Sequence, residues 1–171
     1  MSAYPRPPEC IPDPAVDYPG FVAGVTAVSR AADRQFIQCF GGSPETIGRK
    51  GRCGVLSVIL QANLRRADVA TRLAVRPPIP GAMRHFYLRT LGAPGTRICI
   101  DRTWQQYLPS EQQSTEHMPD LLVCPENELL DVLAGYGVPE HRLNLWSEAR
   151  DTAITWRYFG LEELASLFAE L

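Results

Sequence analysis

Apolar residues recur at three- and four-residue spacing from Cys53 to Arg66, at Val55, Leu56, Ile59, Leu60 and Leu64. That period marks a helix with one apolar face. Val22 to Phe40 is also mostly helical in pattern, with Val25, Val28, Phe36 and Ile37 as core candidates. Gly41-Gly42-Ser43-Pro44 breaks it, and Ser43 with Pro44 can open a short helical turn. Residues 47–52 then read as a Gly-rich basic loop. The pattern next changes period. Val69–Val75 reads as a strand, closed by Pro77-Pro78-Ile79-Pro80-Gly81. His85–Leu91 and Arg97–Asp101 alternate as strands do, around a turn rich in Gly and Pro.

Beyond a polar loop from Pro109 to Pro119, a short strand is expected at Leu121–Cys124 and a helix near Glu126–Ala134. Arg142–Trp146 and Thr152–Phe159 read as strands. Leu161–Leu171 reads as a closing amphipathic helix with Leu164, Leu167 and Phe168 on one face. Residues 1–20 hold six of the 15 prolines, which marks an extended arm. Residues 21–171 are then a single α+β domain, with N-terminal helices packed on an antiparallel sheet.

The two strands around the Gly/Pro turn predict more than a fold class. With the turn centred on Ala93, His85 pairs with Asp101, Tyr87 with Cys99, and Arg89 with Arg97. Phe86 and Leu88 meet Ile98 and Ile100 on the other face, which should pack on the core against the Cys53 helix. Directly opposed side chains have Cβ atoms about 4.5–5.5 Å apart, so an imidazole and a carboxylate can hydrogen-bond there. A one-residue slip turns the apolar set to the wrong face. A two-residue slip keeps the faces and makes His85 and Asp101 diagonal neighbours. Arg89 opposite Arg97 is the weak point of the expected register, relieved if solvent reaches it.

Composition narrows the function classes. A 171-residue chain with 45% hydrophobic and 21% charged residues can bury one core. A net charge of −2 leaves no basic stripe for nucleic acid. No apolar stretch is long enough for a membrane span, and no secretory signal is visible. All 17 basic residues except Lys50 are arginine, which fits a coding bias toward Arg and Ala better than dedicated anion binding. The five cysteines, Cys10, Cys39, Cys53, Cys99 and Cys124, are odd in number and form no CxxC. A zinc site or disulfide framework is not expected, and neither is a cofactor. Reduced thiols fit a cytoplasmic protein, or an effector injected elsewhere.

Cys53, His85 and Asp101 are the candidate chemistry: a thiol nucleophile, its base, and the carboxylate that orients the base. Cys53 sits at a helix start, where unpaired N–H groups and the dipole favour a thiolate. The same N–H groups can hold an oxyanion, and Gly54 keeps the approach open. One such donor is typically worth about 2.7–4 kcal/mol in the transition state. The other four cysteines read as small buried hydrophobes. His117 and His141 read as surface residues, and Trp104, Trp146 and Trp156 as core aromatics. Asp101 also fits a turn residue at a strand end.

At these residues the chain resembles the papain-like and transglutaminase-like cysteine enzymes. Gly51-Arg52-Cys53 opens a helix that ends in Leu64-Arg65, a strand begins at His85, and Ile100-Asp101-Arg102-Thr103-Trp104 follows. His85-Phe86-Tyr87-Leu88 through Gln105-Gln106-Tyr107 also resembles bacterial papain-fold deamidase toxins. The resemblance covers about residues 47–108. Tyr87 stands where such cores commonly carry Trp, and residues 43–52 hold no Gln of the protease type. The resemblance implies Cys53 as nucleophile, His85 as base and acid, and Asp101 as orienter, with Gln38 or Trp104 supporting the oxyanion or the site wall. It implies a protein or peptide carbonyl substrate, such as a glutamine side chain. Arylamine N-acetyltransferase chemistry and a non-catalytic binding scaffold are the alternatives.

Overall fold

Asp17 starts the first helix. Its side chain accepts the Gly20 N–H at 2.9 Å, and Pro19 occupies the first turn, where a missing N–H costs little. Helix α1 (Tyr18–Phe40) therefore begins inside the segment expected to be an arm, and ends at Gly41, whose φ of 73° suits glycine. Ahead of it, Ile11 is buried and its N–H reaches the Ala67 carbonyl. A Cβ on Gly24 would lie 2.9 Å from Ile11, so the glycine lets this segment sit close against α1. The computed structural model describes residues 10–43, 52–77, 84–108 and 118–154. The expected closing helix at 161–171, most of the 152–159 strand, Trp156 and His117 lie outside them.

Helix α2 (Cys53–Arg66) has the predicted bounds and packs on α1. Strands β1 (Thr71–Arg76), β2 (His85–Thr90), β3 (Ile98–Asp101), β4 (Leu122–Pro125) and β5 (Arg150–Thr152) form one antiparallel sheet, ordered β4-β3-β2-β1-β5. A 3₁₀ turn at Trp104–Tyr107 follows β3, and another at Glu126–Glu128 leads into α3 (Leu129–Gly135). The predicted strand at Arg142–Trp146 is instead helix α4 (Glu140–Trp146). Pro139 sets the entry, with its carbonyl accepting from Arg142 and Leu143, and Trp146 turns inward. Five residues of mixed polarity are too few for periodicity to separate a strand from one helical turn. The domain is α+β, with four α-helices and this five-stranded sheet among the described residues.

The sheet is covered on both faces. On one, Phe86, Leu88, Ile98 and Ile100 pack with Leu56, Ile59, Leu60 and Leu64 of α2, as the alternation predicts. On the other, Tyr87, Cys99, Trp104, Tyr107, Leu133 and Trp146 make a second, aromatic-rich cluster. Every residue of β2 is buried in consequence.

The expected register is shifted by two residues. Leu88 pairs with Ile100 and Arg89 with Cys99. The turn closes later than Ala93, with Thr96 N–H donating to the Ala93 carbonyl and Ile98 N–H to Thr90 Oγ1. Faces are preserved, so the apolar set still meets α2. The Arg89–Arg97 clash disappears with the shift. Arg89 is buried rather than solvated, and donates to the Tyr87 hydroxyl at 2.7 Å and the Ala149 carbonyl at 3.1 Å, with Glu126 at 3.2 Å.

Candidate active site

Two anchors hold the start of α2 against the start of β2. Apolar contacts seat the helix on the sheet, and Ser57 Oγ donates to the Phe86 carbonyl at 3.2 Å. Cys53, the first residue of α2, therefore meets His85, the first of β2. Cys53 Sγ lies 3.7 Å from the carbonyl of Arg84, the residue before His85, and the imidazole is near enough to lower the thiol. No side chain caps α2 at Arg52, so the helix start offers first-turn N–H groups without a side-chain acceptor.

His85 Nε2 lies 2.6 Å from Asp101 Oδ2, across the diagonal that the two-residue shift creates. The carboxylate accepts, which puts a proton on Nε2 and leaves Nδ1 facing the Gln106 amide. The other carboxylate oxygen, Oδ1, accepts from Thr103 N–H at 2.8 Å and Thr103 Oγ1 at 3.1 Å. Asp101 is thus both a turn residue and the partner of His85, one oxygen for each task. Cys53, His85 and Asp101 are 4%, 0% and 1% exposed.

Burial pushes the Cys53 thiol up, but the hydrogen bond and charge of His85, with the Phe86 backbone, outweigh it and leave the thiol below its ordinary range. Burial alone would hold His85 neutral. The charge and hydrogen bond of Asp101, then Cys53, reverse this and push the imidazole up to about 9. Both shifts run toward the charged forms, thiolate and imidazolium. Cys99 and Cys124, directly opposed on β3 and β4, behave oppositely: burial pushes both thiols up, Cys124 to about 12. Cys10 and Cys39 are exposed, not buried as their composition suggested.

Three neighbours of His85 escaped the sequence reading. The Gln106 amide nitrogen lies 2.5 Å from His85 Nδ1 and donates there when the ring is neutral. The same nitrogen reaches the Tyr107 hydroxyl at 3.3 Å. Tyr107 and Trp146 set ring edges on the imidazole, at centroid distances of 4.6 and 4.9 Å. A Gln five residues after the Asp, on a short turn, was the only signal available for Gln106. Gln38 is exposed on the last turn of α1, and no hydrogen bond among the described residues ties it to the three. Trp104 is buried, donates to the Pro119 carbonyl at 2.9 Å, and packs at a tilt against Tyr136 in the second cluster. Gly54 is buried beside Cys53 in the first turn of α2.

Two open grooves lie elsewhere. One of about 520 Å³ runs between Tyr18, Val22 and Thr26 of α1 and the β4 edge; the other, about 780 Å³, lies beneath residues 10–15. No triad residue lines either. Among the described residues no group of three His, Cys, Asp or Glu is placed to hold a metal ion, and no helix is long and apolar enough to cross a membrane. Compared with protein-family models, curated proteins and solved structures, the chain finds no match.

Proposed function

We propose that the protein is a thiol hydrolase or acyltransferase of papain-like or transglutaminase-like type, working through Cys53, His85 and Asp101. One observation carries the reading: the buried 2.6 Å His85–Asp101 contact, with Cys53 at the start of α2 close enough for the imidazole to lower its thiol. A structural histidine has no need of both partners. The Cys53 thiolate attacks the carbonyl of an amide or ester, and the electron pair moves to oxygen. Uncapped N–H groups at the start of α2, beside Cys53, are the donors that can receive that charge. The His85 imidazolium gives its proton to the departing amine as the tetrahedral centre collapses to a thioester. Water, deprotonated by His85, then releases the acid and restores the thiol. Glutamine in a protein or peptide is the favoured acyl donor by resemblance, giving deamidation with water or transamidation with an amine.

The closure of the site favours a second reading. His85 is fully buried under Tyr107 and Trp146, as a binding scaffold that has lost its cleft would be. An ester such as p-nitrophenyl acetate separates the two. The enzyme releases a burst of about one equivalent of nitrophenol, with an acetyl mass on the peptide containing Cys53. No burst, and no acyl adduct on Cys53 at any pH from 6 to 9, would favour the scaffold.

A further inference from the structure

Arg76 ends β1 directly opposite His85 and is fully buried. Its three guanidinium nitrogens, Nε, Nη1 and Nη2, have no hydrogen-bond partner among the described residues, and no carboxylate there pairs with it. The guanidinium instead lies over the Tyr107 ring, 4.3 Å from its centroid, with Trp146 at 5.8 Å. Burial pushes the Tyr107 phenol up, opposed by the charge of Arg76 and a loose contact with it that falls outside hydrogen-bonding geometry. Aromatic faces return part of a cation's lost hydration. They supply no acceptors for five N–H donors, and an unpaired charge is costly to bury. The other buried arginines of the sheet region are satisfied: Arg89 by Glu126 and Tyr87, Arg102 by Asp33 at 3.0 Å. Arg76 is the exception, and it shares both of its rings with the imidazole of the candidate triad.

We propose that Arg76 is the binding group for a carboxylate carried by the acyl donor, so that the substrate is anionic beside the bond that is broken. The proposal rests on the acyl-transfer reading and narrows its substrate class. A planar guanidinium matches a carboxylate with two parallel hydrogen bonds. Directly opposed strand residues place the anion within one short side chain of His85. Binding requires Tyr107 or Trp146 to shift, because both rings now cover the guanidinium. The carboxylate can be a chain end or an acidic side chain; the chemistry is the same.

Iodoacetate and iodoacetamide test this, being near-isosteres that differ by one charge. Each alkylates a thiolate with loss of iodide. The ratio of their rates at Cys53 is read within each protein, so that a general change in thiol reactivity cancels, with Cys10 and Cys39 as internal references. Arg76→Met should lower the iodoacetate preference about tenfold, and Arg76→Lys should retain part of it. Melting temperature gives a second readout independent of the thiol. N-acetylglycine (chain-end carboxylate) or N-acetylaspartate amide (side-chain carboxylate) should raise it in the native protein and not in Arg76→Met; N-acetylglycinamide should do nothing. Whichever carboxylate acts identifies its source. Arg76→Met itself should melt no lower than the native protein, since it removes an unpaired buried charge. A carboxylate shift that depends on Arg76, with an inert Cys53, would sink the acyl-transfer reading and leave the anion site standing. An unchanged rate ratio together with no Arg76-dependent shift would overturn the anion site itself.

Discussion

The two faces of the sheet are built from different materials. Toward α2 the contacts are aliphatic, and Leu56, Leu64, Leu88 and Ile100 are wholly buried. Toward the 3₁₀ turn and α4 the same strands present His85, Tyr87, Arg76 and Arg89, packed with Tyr107 and Trp146. Aliphatic packing returns free energy without asking for partners. Every polar group on the second face must find one or be left costly. Asp101 satisfies His85, and Glu126 satisfies Arg89; Arg76 finds only aromatic rings. The first face is apolar packing, and the second gathers the buried titratable and charged groups. Cys53 belongs to the first cluster, yet its thiol is lowered by His85 of the second face.

Substitutions on the chemical face should have the largest effect, and on reactivity rather than on folding. His85→Ala removes the proton acceptor and should slow reaction at Cys53 by about 10²–10⁴-fold. Asp101→Asn should approach the same loss by disturbing the tautomer and its charge. Rates of acyl-enzyme formation check both, with circular dichroism to show that the fold survives. A loss below fivefold in either variant would merge the two faces into one structural core.

Leu64→Ala on the aliphatic face should do the reverse. Leu64 is fully buried, so the deletion should cost about 2–5 kcal/mol in urea unfolding. The rate at Cys53 in the folded fraction should be unchanged. A parallel fall in thiol reactivity would mean that the faces are coupled.

Stability should follow the charge state of the second face. His85 is pushed up to about 9, so its charged form binds the native state better. That contribution is fully present below the ordinary histidine value and fades as pH rises through about 9. Cys53 is lowered, so its contribution is present above the ordinary thiol value and is lost as pH falls through the lowered one. The gap in melting temperature between the native protein and Asp101→Asn should therefore shrink as pH rises from about 6.5 through about 9. A gap constant from pH 6 to 10 would show that His85 is neutral in the native state. The smallest effect belongs to the cap of α1: Asp17→Ala should cost about 1 kcal/mol and leave the thiol untouched.

The first face was the easier to read from the chain. Leu56, Ile59, Leu60 and Leu64 repeat over a full helix, and Phe86, Leu88, Ile98 and Ile100 alternate over two strands, so both periods are long enough to stand out. Alternation determines which face a side chain joins, and this held through the two-residue register shift. It says nothing of how long the turn is, so the partner of Asp101 was placed two residues off. The second face has no such periodicity. Gln106 and Tyr107 reach His85 from a single 3₁₀ turn, and Trp146 from a helix of two turns misread as a strand. Arg76 looked like one more member of an arginine-rich composition. Only its cross-strand position and missing acceptors distinguish it.

The most direct test of the account is the pH dependence of iodoacetamide alkylation, mapped to each cysteine. In the native protein Cys53 should react with a midpoint below the ordinary thiol value of about 8.5. In His85→Ala the midpoint should rise above that value, because burial, the largest effect, then outweighs the remaining Phe86 backbone hydrogen bond. The same midpoint in both proteins, or a Cys53 that stays inert while exposed Cys10 and Cys39 are labelled, would contradict an activated thiol at the start of α2.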